Sequence, residues 1–237
     1  MKVLKKIGLL TLLVAFSLNV NAQTEVNKSN EGVQSDAIKA LSLASDLVNY
    51  GQANKDAYSL VSAAKIILEN PVQSARGNRV SAEEGSSDAP ASARGEKSGS
   101  ALDLDVKAIL AEASKYTSDN SDLKAVIASL EKELNSRGSR GYAGAGYVNG
   151  TWSIPAYGSR TFKWTFTGGE VAEILFNGDD DTDLDFYVYD TDGNLLGSDI
   201  DATDYAYFSW YPPYTKQYVF KVVNRGSVYN NCRIVSN

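Results

Sequence analysis

From Tyr147 to Asn237 large apolar side chains alternate with polar ones at a period of two, which restricts this part of the chain to β-structure. Phe162, Trp164 and Phe166 share one face of an extended segment; so do Leu184, Phe186 and Val188, and again Tyr218, Phe220 and Val222. Gly, Asn and Asp punctuate the runs at turn positions. The pattern predicts about eight strands in these 91 residues, the number used by a jelly roll or a related sandwich. A domain this small buries only about 60 to 65% of its unfolded surface, so most of its aromatics must be core.

Residues 35–136 follow a different period. Ala37, Leu41, Ala44 and Val48, with Leu43, Leu47 and Tyr50 beside them, fall at helical spacing between a Ser35 N-cap and a stop at Gly51. A second helix starts at about Asp56, carries Ala57, Leu60, Val61, Ala64 and Leu68 on one face, and halts at Asn70-Pro71. So short a connection makes the two helices antiparallel. They have the length and Ala-rich stripe of a tetratricopeptide-type hairpin, but no second copy recurs at a fixed period. From Pro71 to Ser100 large apolar residues are nearly absent, which predicts a flexible, disordered linker at 71–100. The helical pattern resumes with Val106, Ile109, Leu110 and Ala113, and again with Leu123, Val126, Ile127, Leu130 and Leu134, capped by Asp105 and Ser121. Four such helices can close into a small bundle. Residues 137–146, with Gly at 138, 141, 144 and 146, read as a Gly-rich hinge between separable halves. The expected fold class is a two-part α+β chain, helical first and then an all-β, jelly-roll-like sandwich over 147–237.

The first 22 residues have the make-up of a cleavable signal peptide. Lys2, Lys5 and Lys6 precede an apolar run from Ile7 to Leu18, and Val20-Asn21-Ala22 sets a signal-peptidase cut before Gln23. That run is 12 residues long, short of the roughly 20 that span a bilayer, so no stable membrane insertion is expected after cleavage. The cut has no neighbouring Cys for a lipid anchor. A secreted or periplasmic location follows.

Losing three Lys and no acid with that segment takes the formal charge from −6 to −9. With a pI near 4.8 and no cluster of Lys or Arg, nucleic acid is not an expected partner. Cys232 is the one Cys, so no internal disulfide can form and packing or bound ions must hold the fold. His is absent altogether, which removes Ser-His-Asp and Cys-His nucleophile pairs, the usual zinc sites and the commonest general base near neutral pH. Carboxylate chemistry, a Ser-Lys pair or an N-terminal nucleophile remain, and Gln23 is not such a nucleophile. The expectation is a protein that is not an enzyme.

The run Asp181-Thr182-Asp183-Leu184-Asp185-Phe186-Tyr187-Val188-Tyr189-Asp190, followed by Asp192-Gly193-Asn194-Leu195, resembles the Asp-x-Asp-Leu-x-Tyr-Val strand of bacterial pre-peptidase C-terminal (PPC) domains. The stretch Tyr218-Val219-Phe220-Lys221-Val222-Val223-Asn224, with Gly226, is similar to that family's penultimate strand and turn. The resemblance covers residues 149–237. It departs at Thr215-Lys216-Gln217, where the family usually has Ala-Gly before the Tyr, and at Cys232, where an aromatic is common. It implies a jelly-roll-type β-sandwich, often appended to secreted peptidases, with roles in export, substrate attachment, or carbohydrate and protein binding.

Two groups of residues are candidate sites. Asp179 to Asp204 holds ten Asp and no Lys or Arg. Within it Asp179, Asp181, Asp183 and Asp185 alternate so that their oxygens can converge on calcium, although neither the Gly nor the terminal Glu of an EF-hand is present. The other role for these residues is a solvated loop, with Asp190 to Asn194 a hairpin turn whose Asp-Gly suits positive φ. Trp210, Tyr211 and Tyr214, with Pro212 and Pro213 between them, form the second group: their rings either stack on a sugar or a peptide, or cap one end of the core. Glycosidase chemistry needs two acids about 5 to 10 Å apart across a cleft, and Glu170 and Glu173, three apart on a predicted strand, face opposite sides. The expected function is binding or adhesion to a glycan or a protein surface. The alternatives are an accessory that aids export or folding of a secreted partner, and a weak carbohydrate hydrolase.

Overall fold

Ser35 opens the first helix as its spacing requires: Oγ accepts the Ile38 amide at 3.2 Å. In the computed structural model, which describes residues 34–74, 80–84, 102–137 and 147–237, α1 (Asp36–Asn54) and α2 (Ala57–Glu69) are followed by short strands β1 (Val72–Ser74) and β2 (Val80–Glu84). Then come α3 (Val106–Lys115) and α4 (Ser121–Arg137). The expected signal segment 1–22, the cut before Gln23 and the hinge glycines lie outside the described residues.

The helical stripes are buried largely as their periodicity demands, but Ile38 rather than Ala37 leads the first, and Val126 of the last is exposed. Two ends differ from expectation. Gly51 does not stop α1; it is buried inside the helix where α2 crosses, and a Cβ there would lie 2.7 Å from Leu60 Cγ. The helix runs one turn further and ends at Lys55 in the left-handed region, φ 54°. At α4 the cap is Asn120 instead of Ser121, with Asn120 Oδ1 accepting the Leu123 amide at 3.0 Å.

Eight strands follow: β3 (Tyr147–Ile154), β4 (Ser159–Phe166), β5 (Ala172–Asn177), β6 (Leu184–Tyr189), β7 (Leu195–Asp199), β8 (Tyr205–Trp210), β9 (Lys216–Asn224) and β10 (Asn230–Ser236). β6 pairs with β7, β5 with β8, β4 with β9 and β3 with β10, all antiparallel. This is one long nested hairpin rolled into two sheets, β3-β10-β5-β8 and β4-β9-β6-β7, which is jelly-roll topology. Phe162, Trp164, Phe176, Phe186, Phe208 and Phe220 fill the space between the sheets.

Within the expected linker 71–100, residues 72–74 and 80–84 are strands. β1 adds parallel to β3 and β2 antiparallel to β4, so each sheet gains a fifth strand at the same side of the sandwich. The helices do not form a bundle apart. Leu175, Tyr207 and Val235, on the outward face of β5, β8 and β10, belong to the same apolar cluster as the stripes of α1 to α4. A third layer therefore covers one sheet, and every residue of β5 is buried.

Polar contacts lock this junction. Arg233 is fully buried; its guanidinium donates to Ser45 O at 3.3 Å, Asn49 Oδ1 at 3.1 Å and Leu102 O at 2.6 Å. Burial lowers its pKa to about 10, against the pull of the Asp103 carboxylate. Asn149 Oδ1 accepts the Leu104 amide at 2.9 Å, and Asn49 donates to Gly178 O at 2.8 Å. The two halves are thus joined through a shared interior and not only through 137–146.

Candidate functional site

Register decides which loops meet. Phe166 pairs with Lys216, Ala172 with Trp210 and Tyr189 with Val219. The β4–β5 loop (167–171), the β6–β7 turn (190–194) and the β8–β9 loop (211–215) therefore lie at one end of the sandwich. Ten large apolar side chains are exposed among the described residues, and five of them, Val171, Leu195, Leu196, Tyr211 and Tyr214, belong to this end. Clustering of this kind marks an interaction surface, whereas single exposed apolar residues are ordinary.

Tyr211 and Tyr214 are each 63% exposed. They stand on a tied backbone: the Gly169 amide donates to Pro212 O at 2.9 Å, the Gly168 amide to Thr215 Oγ1 at 2.9 Å, and Tyr211 OH to Gly169 O at 2.7 Å. A Cβ on Gly168 would land on the backbone of Tyr214, so only glycine lets the two loops close. Lys216 Nζ sits 5.6 Å over the Tyr214 ring and 5.1 Å over Tyr218, and 4.0 Å from Asp190 Oδ2. Asp190 in turn accepts the side-chain amide of Asn194 at 3.0 Å and its backbone amide at 2.9 Å, bonds that hold its carboxyl below the usual range. Gly193, at φ 83°, completes the expected hairpin turn.

Trp210 has the other role. It packs edge-on against Phe166 at 4.7 Å and Tyr218 at 5.1 Å, plugging the core below the two tyrosines. The rings offered outward are those of Tyr211 and Tyr214.

Two of the four alternating aspartates, Asp179 and Asp185, are engaged by different partners. Asp179 Oδ2 accepts the Asn231 amide at 3.0 Å. Asp185, buried at the outward face of β6, accepts from Arg225 Nε at 2.6 Å and Tyr187 OH at 3.2 Å, with Arg225 Nη2 completing an ion pair. Burial first, and then the Asp185 charge, raises the Asp183 carboxyl above its ordinary value. Asp181 is exposed. Among the described residues no group of three or more His, Cys, Asp or Glu is placed to hold a metal ion. With Asp185 paired to Arg225 and Asp179 bonded to Asn231, calcium is expected to raise the melting temperature no more than sodium chloride of matched ionic strength does. Melting curves in chelator, in calcium and in matched salt check this; a larger rise in calcium would put the ion back among these aspartates.

Glu170 and Glu173 are far apart in character. Glu170 lies in the exposed 167–171 loop and not on a strand, and Glu173 is buried under α1, accepting from Ser35 N at 2.9 Å, Tyr147 OH at 2.8 Å and Tyr207 OH at 2.7 Å. Sequence reasoning missed Val171, Leu195 and Leu196, which only strand register brings to the same end of the sandwich as the tyrosines. A concavity of about 340 Å³ on the helical side is lined by Ile67, Leu68, Val72, Leu104 and Leu134, the residues that join α2, α4 and β1. It belongs to the helix–sheet junction.

No protein-family model and no curated protein matches this chain. Among solved structures it is similar to the enzymatically active domain of tailspike protein 4 of bacteriophage CBA120, with 16% identity and a TM-score of 0.22. That likeness covers 37% of this chain and 16% of the tailspike chain. A likeness of that size says nothing about ligand or activity.

Proposed function

We propose that this chain is an exported, non-catalytic binding protein that holds a glycan at the loop end of its jelly roll. The carrying observation is the pair of tyrosines, both 63% exposed and both on a backbone tied across two loops. An exposed ring that the core does not need, held in place before the ligand arrives, offers a flat apolar face and a polar edge at little entropic cost. The Asp181–Asp190 strand and its resemblance to PPC domains support the same reading, as do the basic, apolar and small-residue segments before Gln23 for export. A non-catalytic role is supported by the absence of His and by the three donors that occupy Glu173.

Replacing both rings, Tyr211→Ala with Tyr214→Ala, is expected to weaken polysaccharide binding by at least about tenfold, since each aromatic contact contributes about 0.5 to 1.5 kcal/mol beyond its area. The fold should persist, because Trp210 and not these residues closes the core. Affinity electrophoresis in gels containing soluble polysaccharides, beside a melting curve, measures both. Unchanged retardation in the double variant sinks the proposal.

A further inference from the structure

Resting on that glycan reading, we infer that the ligand is an uncharged polysaccharide and that acidic glycans are refused at the same end of the molecule. The three loops and the first residue of β9 carry Glu170, Asp190 and Asp192 against one cation, Lys216. That cation is already engaged: its ammonium is 4.0 Å from the Asp190 carboxylate and lies over the faces of Tyr214 and Tyr218. Binding a uronate or a sulfate there would require Lys216 to leave both. The ring faces themselves oppose an anion, because the electron density of an aromatic face is negative. Glu170 and Asp192 are solvent-exposed and lie in the loops around the rings, so an approaching polyanion meets like charge at every repeat unit. A neutral sugar meets none of this and still finds hydroxyl partners in the tyrosine edges. Refusal by like charge is a means of specificity independent of the stacking that supplies affinity.

The full mature chain is run through gels containing neutral polymers (β-glucan, xylan, galactomannan, dextran) and polyanions (alginate, pectate, hyaluronan, carboxymethylcellulose), at low and at high salt. Retardation is expected from neutral members alone at low salt. Where a neutral polymer and its carboxymethyl derivative share a backbone, the derivative should bind at least about tenfold more weakly, and the gap should narrow as salt screens the repulsion. Glu170→Gln with Asp192→Asn should narrow the same gap at low salt while leaving retardation by the neutral polymer in place. Equal or tighter binding of a polyanion overturns the inference and leaves glycan binding standing, as does a gap indifferent to salt and to the double variant. Retardation by no polymer of either kind overturns the glycan reading itself.

Discussion

A fragment limited to residues 147–237 is expected to lose its cooperative melting transition, or to melt far below the full chain. The outward faces of β5, β8 and β10 are finished by helices: Leu175 and Val235 are fully buried and Tyr207 nearly so, all within the helical cluster. Each such side chain is worth about 1.5 to 3 kcal/mol when fully covered, so the fragment forgoes on the order of 5 kcal/mol or more. A domain of this kind has about 5 to 15 kcal/mol in all. The fragment also lacks β1 and β2, which leaves β3 and β4 as open edges ready to pair with other chains. Circular dichroism melts of the fragment and of the full mature chain, with light scattering, are the measurement. A fragment that melts cooperatively within a few degrees of the full chain would show that the helices dock on a finished sandwich.

What the sequence showed and what it hid divide along one physical line. Patterns set by a side chain's own element were legible: most of the stripes of α1 to α4, the caps Ser35 and Asp105, and the inward faces of β4, β6 and β9. The group Trp210, Tyr211 and Tyr214 is divided only by the strand itself: Trp210 continues the inward series of Ala206 and Phe208 two residues on, while Tyr211 falls outside it. Features set by a distant partner were not legible. In β5, Glu173 and Asn177 gave the outward face a polar look, yet the strand is buried on both sides because α1 bonds to those two residues. β1 and β2 join the sheets through backbone pairing, which composition does not record. Arg233 finds its acceptors at Ser45, Asn49 and Leu102, far away in sequence.

Glu173 is where that junction should respond most sharply to acid. Burial pushes its carboxyl up, but donors from Ser35, Tyr207 and Tyr147 outweigh burial and leave the pKa below the ordinary 4.5. The same contacts act on their partners, and burial with the Glu173 bond raises Tyr147 to about 12. A carboxyl with a depressed folded value contributes stability that is fully present above its unfolded value and is lost as pH falls through the folded one. Asp46 and Asp204 act with the opposite sign: burial raises both, so their ionisation disfavours the fold and protonation relieves it. A single melting profile would mix the two effects, whereas the difference between wild type and Glu173→Gln isolates the first. Gln offers one carbonyl oxygen and one amide donor to a site built from donors. The tyrosine hydroxyls can turn to accept, but the Ser35 amide cannot. The expected cost near neutral pH is about 1 to 3 kcal/mol, or several degrees of melting temperature. That difference should be constant above about pH 4.5 and close as pH falls below it, because wild type then loses its carboxylate as well. A difference that persists unchanged to pH 2 would mean that the charge contributes nothing and that Glu173 acts only by filling space.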